Sequence, residues 1–330
     1  MRLSKEIGID LGTANILIYV KGEGIVVNEP SVVTINTETN KPIAVGEEAR
    51  DMLGKTPGKF QAIRPLKDGV IADFQITEIL ITHFINKLNL KGVFSRPTIL
   101  ICCPSNITEV EKNAIKEAAE RLGAKKVFVE EEPKVAAVGA GMDISKPSGN
   151  IVIDIGGGTT DIAVLSLGGI VTSNSLKVAG NSFDSAIIDY VKEKHKLLIG
   201  DRTAENIKLK IGCTYKGEKE NTIEIKGRNL TNGLPHTIEI SEKEIEESLY
   251  PLTMEIIKKA KEVLEKTPPE LSADIVDKGI VLTGGGALIK GLTELFEKEL
   301  KVPVFISESP LTCVAEGCGI MLNNLDLIDR

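Results

Sequence analysis

The sequence predicts an α/β protein built from two duplicated domains, each carrying a small inserted subdomain. The first observation behind this fold class is an internal repeat, because the segment Ile7-Gly-Ile-Asp10-Leu-Gly-Thr13 returns as Ile151-Val-Ile-Asp154-Ile-Gly-Gly157. The second is that each copy continues with apolar strand patterns and then with helical patterns. The length agrees, since 330 residues predict about two domains at roughly 100–200 residues each.

Composition and charge exclude several classes of protein. With 42% hydrophobic residues and no long low-complexity stretch, the chain is not disordered. A net charge of -7 and a pI near 5.3 argue against a nucleic-acid partner, which would need a basic face. The five cysteines form no CxxC pair and are expected to be buried free thiols in a reducing compartment. No signal-peptide core and no run of about 18 apolar residues occur, so we expect a cytoplasmic protein.

In the first half, the elements follow from local signals. The apolar runs 7–20 and 25–35 predict strands, with a turn at Gly12. The run 98–103 before Pro104 predicts a strand buried on both faces, and a shorter strand is expected at 127–129. Thr108 and Glu111 form a capping box, which predicts a helix to Leu122 that ends at Gly123.

In the second half, residues 183–198 predict one helix, and Thr203-Ala204 opens another. Ser241 and Glu244 form a second capping box, which begins a long helix that stops at Pro268-Pro269. A strand at 279–282 and a helix from about Lys290 come next. The polar stretch 36–60 and the mixed stretch 201–240 follow the hairpin of each repeat, so we interpret both as inserted subdomains.

Three glycine elements are typical of phosphate or nucleotide contact. In Asp10-Leu-Gly12-Thr13-Ala14-Asn15, the glycine permits a tight turn, so that backbone amides and the Thr13 and Asn15 side chains can donate to phosphate oxygens. The second copy continues as Gly156-Gly157-Gly158-Thr159. Either loop alone could be an ordinary glycine-rich hairpin turn. Because the same pattern occurs in both copies of the repeat, a chance match to a phosphate-binding loop is a poor explanation. Asp10 and Asp154, at strand ends, would hold a hydrated Mg²⁺.

The third element is the run from Thr283 through Gly284, Gly285 and Gly286 to Ala287, between a strand and a helix. Only glycine lets a backbone approach a nucleotide this closely. It contains neither a Walker A lysine nor a dinucleotide-binding fingerprint, which argues against P-loop and dehydrogenase functions.

These elements, in this order, resemble the phosphate and adenosine motifs of the superfamily of actin, heat-shock chaperones and sugar kinases. The chain is similar over residues 5–325 to its MreB/Mbl family of bacterial actins, and the resemblance is strongest in six segments. They are Ile9-Asp-Leu-Gly-Thr-Ala-Asn15, Asn28-Glu-Pro-Ser31, the run 63–73, Glu131-Glu-Pro133, Pro268-Pro-Glu-Leu271 and Leu282-Thr-Gly-Gly-Gly-Ala287. Ile101-Cys-Cys-Pro104 and Lys134-Val-Ala-Ala137 lean towards the Mbl type.

The resemblance implies an actin-like (ribonuclease H-like) fold with two domains that flank a nucleotide cleft. The expected large subdomains are 1–32 with 66–145 and 310–330, and 146–180 with 241–309. The expected small ones are 33–65 and 181–240. It also implies which residues bind ATP: Gly12, Thr13, Ala14, Asn15 and Gly156 to Thr159 at the phosphates, and Glu205, Asn206, Ile207, Lys208 and Gly284 to Leu288 at the adenosine. Glu205 and Lys208 could equally be exposed helix charges.

Glu132 is the residue that we expect to promote hydrolysis. It precedes Pro133 at the start of a helix, so its carboxylate would point into the cleft and polarise the attacking water, with Thr159 holding that water from the other side. Its neighbours Glu130 and Glu131 are expected to be solvated or structural.

The resemblance therefore implies an ATPase that polymerises into membrane-associated filaments and organises cell-wall synthesis to maintain a rod shape. The implied partners are further copies in double protofilaments, with lobe 33–65 meeting lobe 181–245 of the next subunit, the inner face of the cytoplasmic membrane, and cell-wall elongation proteins. A chaperone ATPase would need a peptide-binding module after Arg330. A sugar kinase would need an acidic, aromatic sugar site, which the sequence does not display.

Membrane attachment is expected at the turn Leu90-Lys-Gly-Val93-Phe94-Ser-Arg96-Pro97. Val93 and Phe94 form an apolar pair with basic neighbours, and such a pair can insert at the acyl boundary while the cations meet anionic head groups. The alternative is that both side chains pack into the core. The resemblance favours insertion.

Overall fold

The computed structural model describes residues 5–56, 58–67, 69–88, 96–105, 107–325 and 328. The strands are β1 Glu6–Leu11, β2 Asn15–Val20, β3 Gly24–Pro30, β4 Val33–Asn36, β5 Pro42–Val45, β6 Phe60–Ile63, β7 Leu66–Lys67, β8 Val70–Ile71, β9 Thr98–Cys103, β10 Lys126–Glu131, β11 Asn150–Ile155, β12 Thr160–Ser166, β13 Gly169–Leu176, β14 Leu197–Leu198, β15 Thr222–Asn229, β16 Pro235–Ser241, β17 Ile280–Thr283 and β18 Val304–Ile306. The helices are α1 Glu47–Met52, α2 Phe74–Lys87, α3 Glu109–Arg121, α4 Glu132–Gly139, α5 Gly180–His195, α6 Asp201–Ile211, α7 Glu242–Lys266, α8 Pro269–Lys278, α9 Leu292–Leu300 and α10 Cys313–Asn323, with a 3₁₀ helix at Gly285–Leu288.

The chain divides into two compact units. The first contains the described residues up to 148, residues 165–170 and those from 311 onward, and the second contains residues 149–164 and 171–310. The main sheet of the first unit has the strand order β10-β9-β1-β2-β3, in which β1 is antiparallel to β2 and parallel to β9. A small sheet of order β5-β4-β6 belongs to the same unit. Its core contains the apolar faces of the main sheet and of α2 and α3.

The second unit repeats this arrangement. Its main sheet has the order β18-β17-β11-β12-β13, with β11 parallel to β17 and β17 parallel to β18. The corresponding strands therefore stand in the same order as in the first unit, which is what the internal repeat predicts. The small sheet of this unit, β14-β15-β16, packs with α5, α6 and α7 around a second core.

Most of the predicted elements are present. Both capping boxes are formed, with the Thr108 hydroxyl accepting from the amide of Glu111 and the Ser241 hydroxyl from that of Glu244. β9 is buried at every position after Thr98. All five cysteines are free and buried, as predicted.

Two helix boundaries were predicted wrongly. The helix expected at 183–198 is α5, which begins at Gly180 and ends at His195, because Lys196 takes a left-handed conformation (φ 51°) and the next two residues pair with β15 as strand β14. The helix expected to open at Thr203 begins at Asp201, after an N-cap glycine at 200. Neither start carries a side-chain cap, so the local sequence holds no signal for it.

Two glycines set the place of α4, the helix that begins at Glu132. A Cβ at Gly139 would overlap the Cys313 carbonyl oxygen, and one at Gly317 would overlap the Val135 carbonyl oxygen. The backbones of α4 and α10 therefore approach more closely than larger residues would allow. The Cys313 thiol donates to the Ala136 carbonyl at 3.2 Å and adds to this contact. This packing fixes the position of Glu132 within the first unit.

Among the helices that the structure describes, none combines the length and the apolar character needed to cross a membrane.

Candidate functional site

The first glycine loop, residues 10–15, joins β1 to β2 and is held from behind by one residue. Ser31 follows β3 and is fully buried. Its hydroxyl donates to the Gly12 carbonyl oxygen at 2.7 Å, and its amide donates to the Ala14 carbonyl oxygen at 2.9 Å. The Asn15 side-chain amide donates to the Asn28 side chain at 2.8 Å. Residues of the second and third strands therefore fix the shape of this loop.

The second glycine loop, residues 154–159, joins β11 to β12 and is held by the start of a helix. The amide of Gly180 donates to the Gly156 carbonyl oxygen at 3.1 Å, and the amide of Asn181 donates to the Gly157 carbonyl oxygen at 2.8 Å. The amide of Gly156 donates to the Thr159 carbonyl oxygen at 2.9 Å and closes the turn. The first two amides of α5 thus find their acceptors on the loop, so this helix start needs no N-cap side chain for them.

The fixed carbonyls orient the loop amides. In a trans peptide the C=O group and the following N–H group point in opposite directions. The amides of Thr13, Gly157 and Gly158 therefore point away from the groups that hold the loops. Within the described ranges, these three amides and those of Ala14 and Thr159 have no hydrogen-bond acceptor. Successive amides without acceptors form a concavity that suits an anion.

The loop carboxylates suit a cation. Asp10 ends β1 with 9% of its surface exposed, and burial raises its pKa to about 7. No hydrogen bond or ion pair reaches the Asp10 carboxylate from the rest of the described chain. Asp154 lies at the corresponding place on β11 and is 3% exposed. A buried carboxylate is stabilised by a nearby positive charge, so each of these two residues, in its own unit, suits a divalent cation such as Mg²⁺.

The triple glycine packs against the second loop. Gly284 has φ +80°, and a Cβ there would overlap the Asp154 carboxylate and the Ile155 carbonyl oxygen. A Cβ at Gly286 would overlap the Ile155 side chain. The Gly284 amide donates to the Pro310 carbonyl oxygen at 3.0 Å. At least two of the three glycines are thus required by the packing of the protein itself.

Of the residues assigned to adenosine, some have exposed side chains and others do not. Ile207 and Ala287 are fully buried in the core of the second unit, so their side chains are unavailable to a ligand. Asn206, Gly285 and Leu288 are exposed, and Glu205 is half-buried without an ion pair among the described residues. Lys208 is engaged, because its ammonium donates to the Gly180 carbonyl oxygen at 3.0 Å and lies 2.9 Å from the Asp184 carboxylate.

The three consecutive glutamates differ in their partners. The Glu130 carboxylate pairs with Lys134 at 3.2 Å, with both side chains nearly buried. Burial raises the pKa of Glu130 against the opposing effect of Lys134. Glu131 lies 4.0 Å from the Lys112 ammonium. Glu132 is half-buried and is the first residue of α4. Glu130 and Glu131 thus have ion-pair partners. Glu132, at the first position of α4, is the residue that the sequence predicts to be catalytic.

Thr159, the second predicted catalytic residue, is 5% exposed, and its hydroxyl has no hydrogen-bond partner within the described part of the chain. Val93 and Phe94, the predicted membrane residues, lie outside the described residues.

Sequence reasoning missed Ser31, Gly180 and Asp184 as supports of the site. Their side-chain contacts span 19 to 28 positions of the chain, and no local pattern reveals them. Ser31 does lie in Asn28-Glu-Pro-Ser31, one of the segments that resemble the family, so the resemblance gave one indication that this residue is important.

Comparison with known proteins identifies the family. The family model for the MreB/Mbl protein matches residues 4–330. The chain belongs to the MreB/Mbl family. This member is 60% identical over 327 residues to the cell shape-determining protein Mbl of Bacillus subtilis, covering 99% of this chain and 98% of the relative.

Solved structures confirm the actin-like fold predicted from the sequence. The MreB/Mbl member matches MreB5 of Spiroplasma citri bound to AMPPNP with a TM-score of 0.94 and 43% identity, covering 99% of this chain and 98% of the other. It also matches MamK in a double helical filament with a TM-score of 0.83 and 23% identity, covering 98% and 99%. The second match concerns the fold alone.

Proposed function

We propose that this protein binds ATP with Mg²⁺ and hydrolyses it slowly in connection with polymerisation. The observation that carries the proposal is the pair of glycine loops, in which the amides of Thr13, Gly157 and Gly158 find no acceptor among the described residues and point away from their supports. The relative of 43% identity, MreB5 of Spiroplasma citri, is bound to AMPPNP in its solved structure, and this supports an adenine nucleotide as the ligand.

Asp10 and Asp154 would hold the Mg²⁺ through water. When bound, the ion would neutralise charge on the phosphates. The loop amides would bind phosphate oxygens, while Glu205, Lys208, Gly285 and Leu288 would line the adenosine. The buried positions of both aspartates favour charge neutralisation and therefore support this assignment.

In the hydrolytic step, Glu132 would accept a hydrogen bond from the attacking water and orient it towards the terminal phosphate. Thr159 would hold the same water with its hydroxyl. The assignment of Glu132 is supported by its half-buried place as the first residue of α4, a helix whose position is fixed by its close contact with α10. The assignment of Thr159 is supported by its place at the end of the loop and its unengaged hydroxyl.

We further propose that the protein forms filaments at the inner face of the cytoplasmic membrane and determines cell shape with the cell-wall elongation proteins. The Bacillus subtilis relative is named a cell shape-determining protein, and the MamK structure is a double helical filament. Identity of 60% to an Mbl and 48% to an MreB favours the Mbl type. The same proposal includes the four subdomains and double protofilaments, in which lobe 33–65 would meet lobe 181–245 of the next subunit. It also includes membrane insertion by Val93 and Phe94.

Calorimetry and phosphate release test the nucleotide function directly. Asp154→Ala should weaken Mg·ATP binding at least tenfold. Glu132→Gln should slow phosphate release from assembled protein by about 100-fold with ATP affinity nearly unchanged. The matched control is Glu131→Gln, which removes a carboxylate one residue away and should leave turnover near the wild-type rate. Wild-type affinity in the first variant together with wild-type turnover in the second would refute the assignment.

Filament formation is tested by electron microscopy of the purified protein with ATP, with and without anionic liposomes. We expect paired protofilaments on the liposomes. Liposome binding should fall in the double variant Val93→Ser, Phe94→Ser while polymerisation persists, because one loop contributes little per subunit and attachment depends on filament avidity. Equal binding by both polymerising proteins would reject this loop as the anchor.

A further inference from the structure

A nearly buried ion pair connects α6 to the start of α5 beside the second glycine loop. Lys208 and Asp184 have side chains that are 14% and 16% exposed, and the ammonium lies 2.9 Å from the carboxylate. The same ammonium donates to the Gly180 carbonyl oxygen at 3.0 Å. Separating the two side chains would leave a nearly buried charge without compensation, which is strongly unfavourable. The ion pair therefore holds Lys208 in place.

The pair reaches the loop through one residue. Gly180 receives the Lys208 hydrogen bond on its carbonyl and donates its own amide to the Gly156 carbonyl at 3.1 Å. The next amide, that of Asn181, donates to Gly157 at 2.8 Å. A continuous set of hydrogen bonds therefore runs from the Asp184 carboxylate to the loop peptides whose amides point away from α5.

The start of α5, the second loop and Lys208 meet closely at Gly180. A Cβ there would lie 3.3 Å from the Gly156 carbonyl oxygen, 3.4 Å from the Lys208 ammonium and 3.5 Å from Gly157 Cα. A methyl group would therefore be slightly tight against the Gly156 carbonyl and in ordinary van der Waals contact with the other two. A displacement of Lys208 would reach the loop backbone, because its ammonium bonds the Gly180 carbonyl directly and the Gly180 amide bonds the loop.

We propose that Asp184 is a positioning residue for phosphate binding, acting by holding Lys208 on the Gly180 carbonyl and thereby orienting the amides of Gly157 and Gly158. This inference rests on the proposed nucleotide function. It gives Lys208 a second role besides the adenosine contact expected from the resemblance. It also couples the helix that would contact adenosine to the loop that would contact the phosphates.

Asp184→Asn tests the inference, with Asp189→Asn as the matched control on the exposed side of the same helix. Competition against a fluorescent ATP analogue would measure the affinities of ATP, ADP and adenosine. We expect ATP and ADP to bind about tenfold more weakly to Asp184→Asn, and adenosine affinity to fall by a smaller factor, so that the ratio of ATP to adenosine affinity decreases. A merely structural role would move the melting temperature and leave the ratio of ATP to adenosine affinity as it is in the wild type.

A second variant guards against a folding defect. Lys208→Met keeps the apolar stem of the side chain, and Lys210→Met on the same helix is its control. The double variant Asp184→Asn, Lys208→Met should bind ATP no more weakly than Lys208→Met alone, because the two residues act through the same hydrogen bond. Additive losses would overturn the proposed connection.

Hydrogen exchange separates this inference from the nucleotide function. In protein free of nucleotide, the Gly180 and Asn181 amides should exchange about tenfold faster in Asp184→Asn than in Asp189→Asn, since their acceptors on the loop would be less well fixed. Unchanged exchange would overturn the role of Asp184 even if ATP binds. Faster exchange in a protein whose wild type fails to bind ATP would instead leave the positioning role standing and refute the nucleotide function.

Discussion

The two glycine loops come from one repeated sequence, yet they are supported in different ways. The first depends on Ser31, whose hydroxyl and amide hold two carbonyls. The second depends on the backbone amides of Gly180 and Asn181, with Lys208 and Asp184 behind them. In both cases the support lies just after the third strand of the repeat. In both copies the carbonyls of the loop are held by hydrogen bonds, but the donors differ between the two loops.

The difference decides how each loop can be disturbed. A side-chain substitution can remove the hydroxyl that holds the first loop. The bonds that hold the second loop are made by backbone amides, so they can be disturbed only by adding atoms nearby or by altering the ion pair behind them.

The triple glycine that packs against the second loop should be sensitive to added volume. Gly284→Ala places a methyl group against the Asp154 carboxylate and the Ile155 carbonyl, at a φ of +80° that alanine disfavours. We expect it to lower the free energy of unfolding by about 3 kcal/mol or more, from strain and overpacking together. Urea denaturation measures this effect. Gly233→Ala is the control, since that glycine has φ +75° with nothing within 4 Å, and its cost should be about 1 kcal/mol. Equal costs at both positions would show that the close approach to Asp154 is unimportant.

The buried threonine of each loop should affect a different kinetic constant. Thr159→Ala should lower kcat by about 100-fold with KM for ATP nearly unchanged, because its hydroxyl would orient water and not the nucleotide. Thr13→Ala should chiefly raise KM, since the first loop would bind phosphate. Steady-state phosphate release by assembled protein distinguishes the two. If both variants change KM alone, the catalytic role of the second loop is wrong.

The sequence made the loops and most helices predictable, but it could not show their supports. Capping boxes at Thr108 and Ser241 are local, so both helix starts were found. The start of α5 was missed because its first amides are satisfied by carbonyls more than 20 residues earlier in the chain, not by a cap. Ser31 and Asp184 were missed for the same reason. A motif specifies the residues that face a ligand, whereas the residues behind them are brought there by tertiary packing.

The carboxylate of the first loop predicts a pH dependence of stability. Burial raises the pKa of Asp10 from the usual aspartate value of 3.8 to about 7. The folded state therefore binds a proton that the unfolded state has released, so stability falls as pH rises towards 7 and levels off above it. The slope should approach 1.4 kcal/mol per pH unit at most. Urea denaturation between pH 6 and pH 8, without Mg²⁺ or nucleotide, measures it. Asp10→Asn should remove this contribution, and an identical pH profile for that variant would assign the slope to other groups.

The smallest effect is expected from the support of the first loop. Ser31→Ala removes the 2.7 Å hydrogen bond to the Gly12 carbonyl but keeps the amide bond to Ala14, so the loop loses one of its two supports. A buried carbonyl left without its donor costs about 1–3 kcal/mol of stability, while the affinity for Mg·ATP should fall only about fivefold because the second loop is unaffected. Ser185→Ala is the control, since that hydroxyl is exposed and bonds within α5. Calorimetric titration with ATP and urea denaturation together measure both quantities. A larger loss of affinity than in Asp184→Asn would reverse the comparison, because it would mean that the first loop holds the phosphates more strongly than the second.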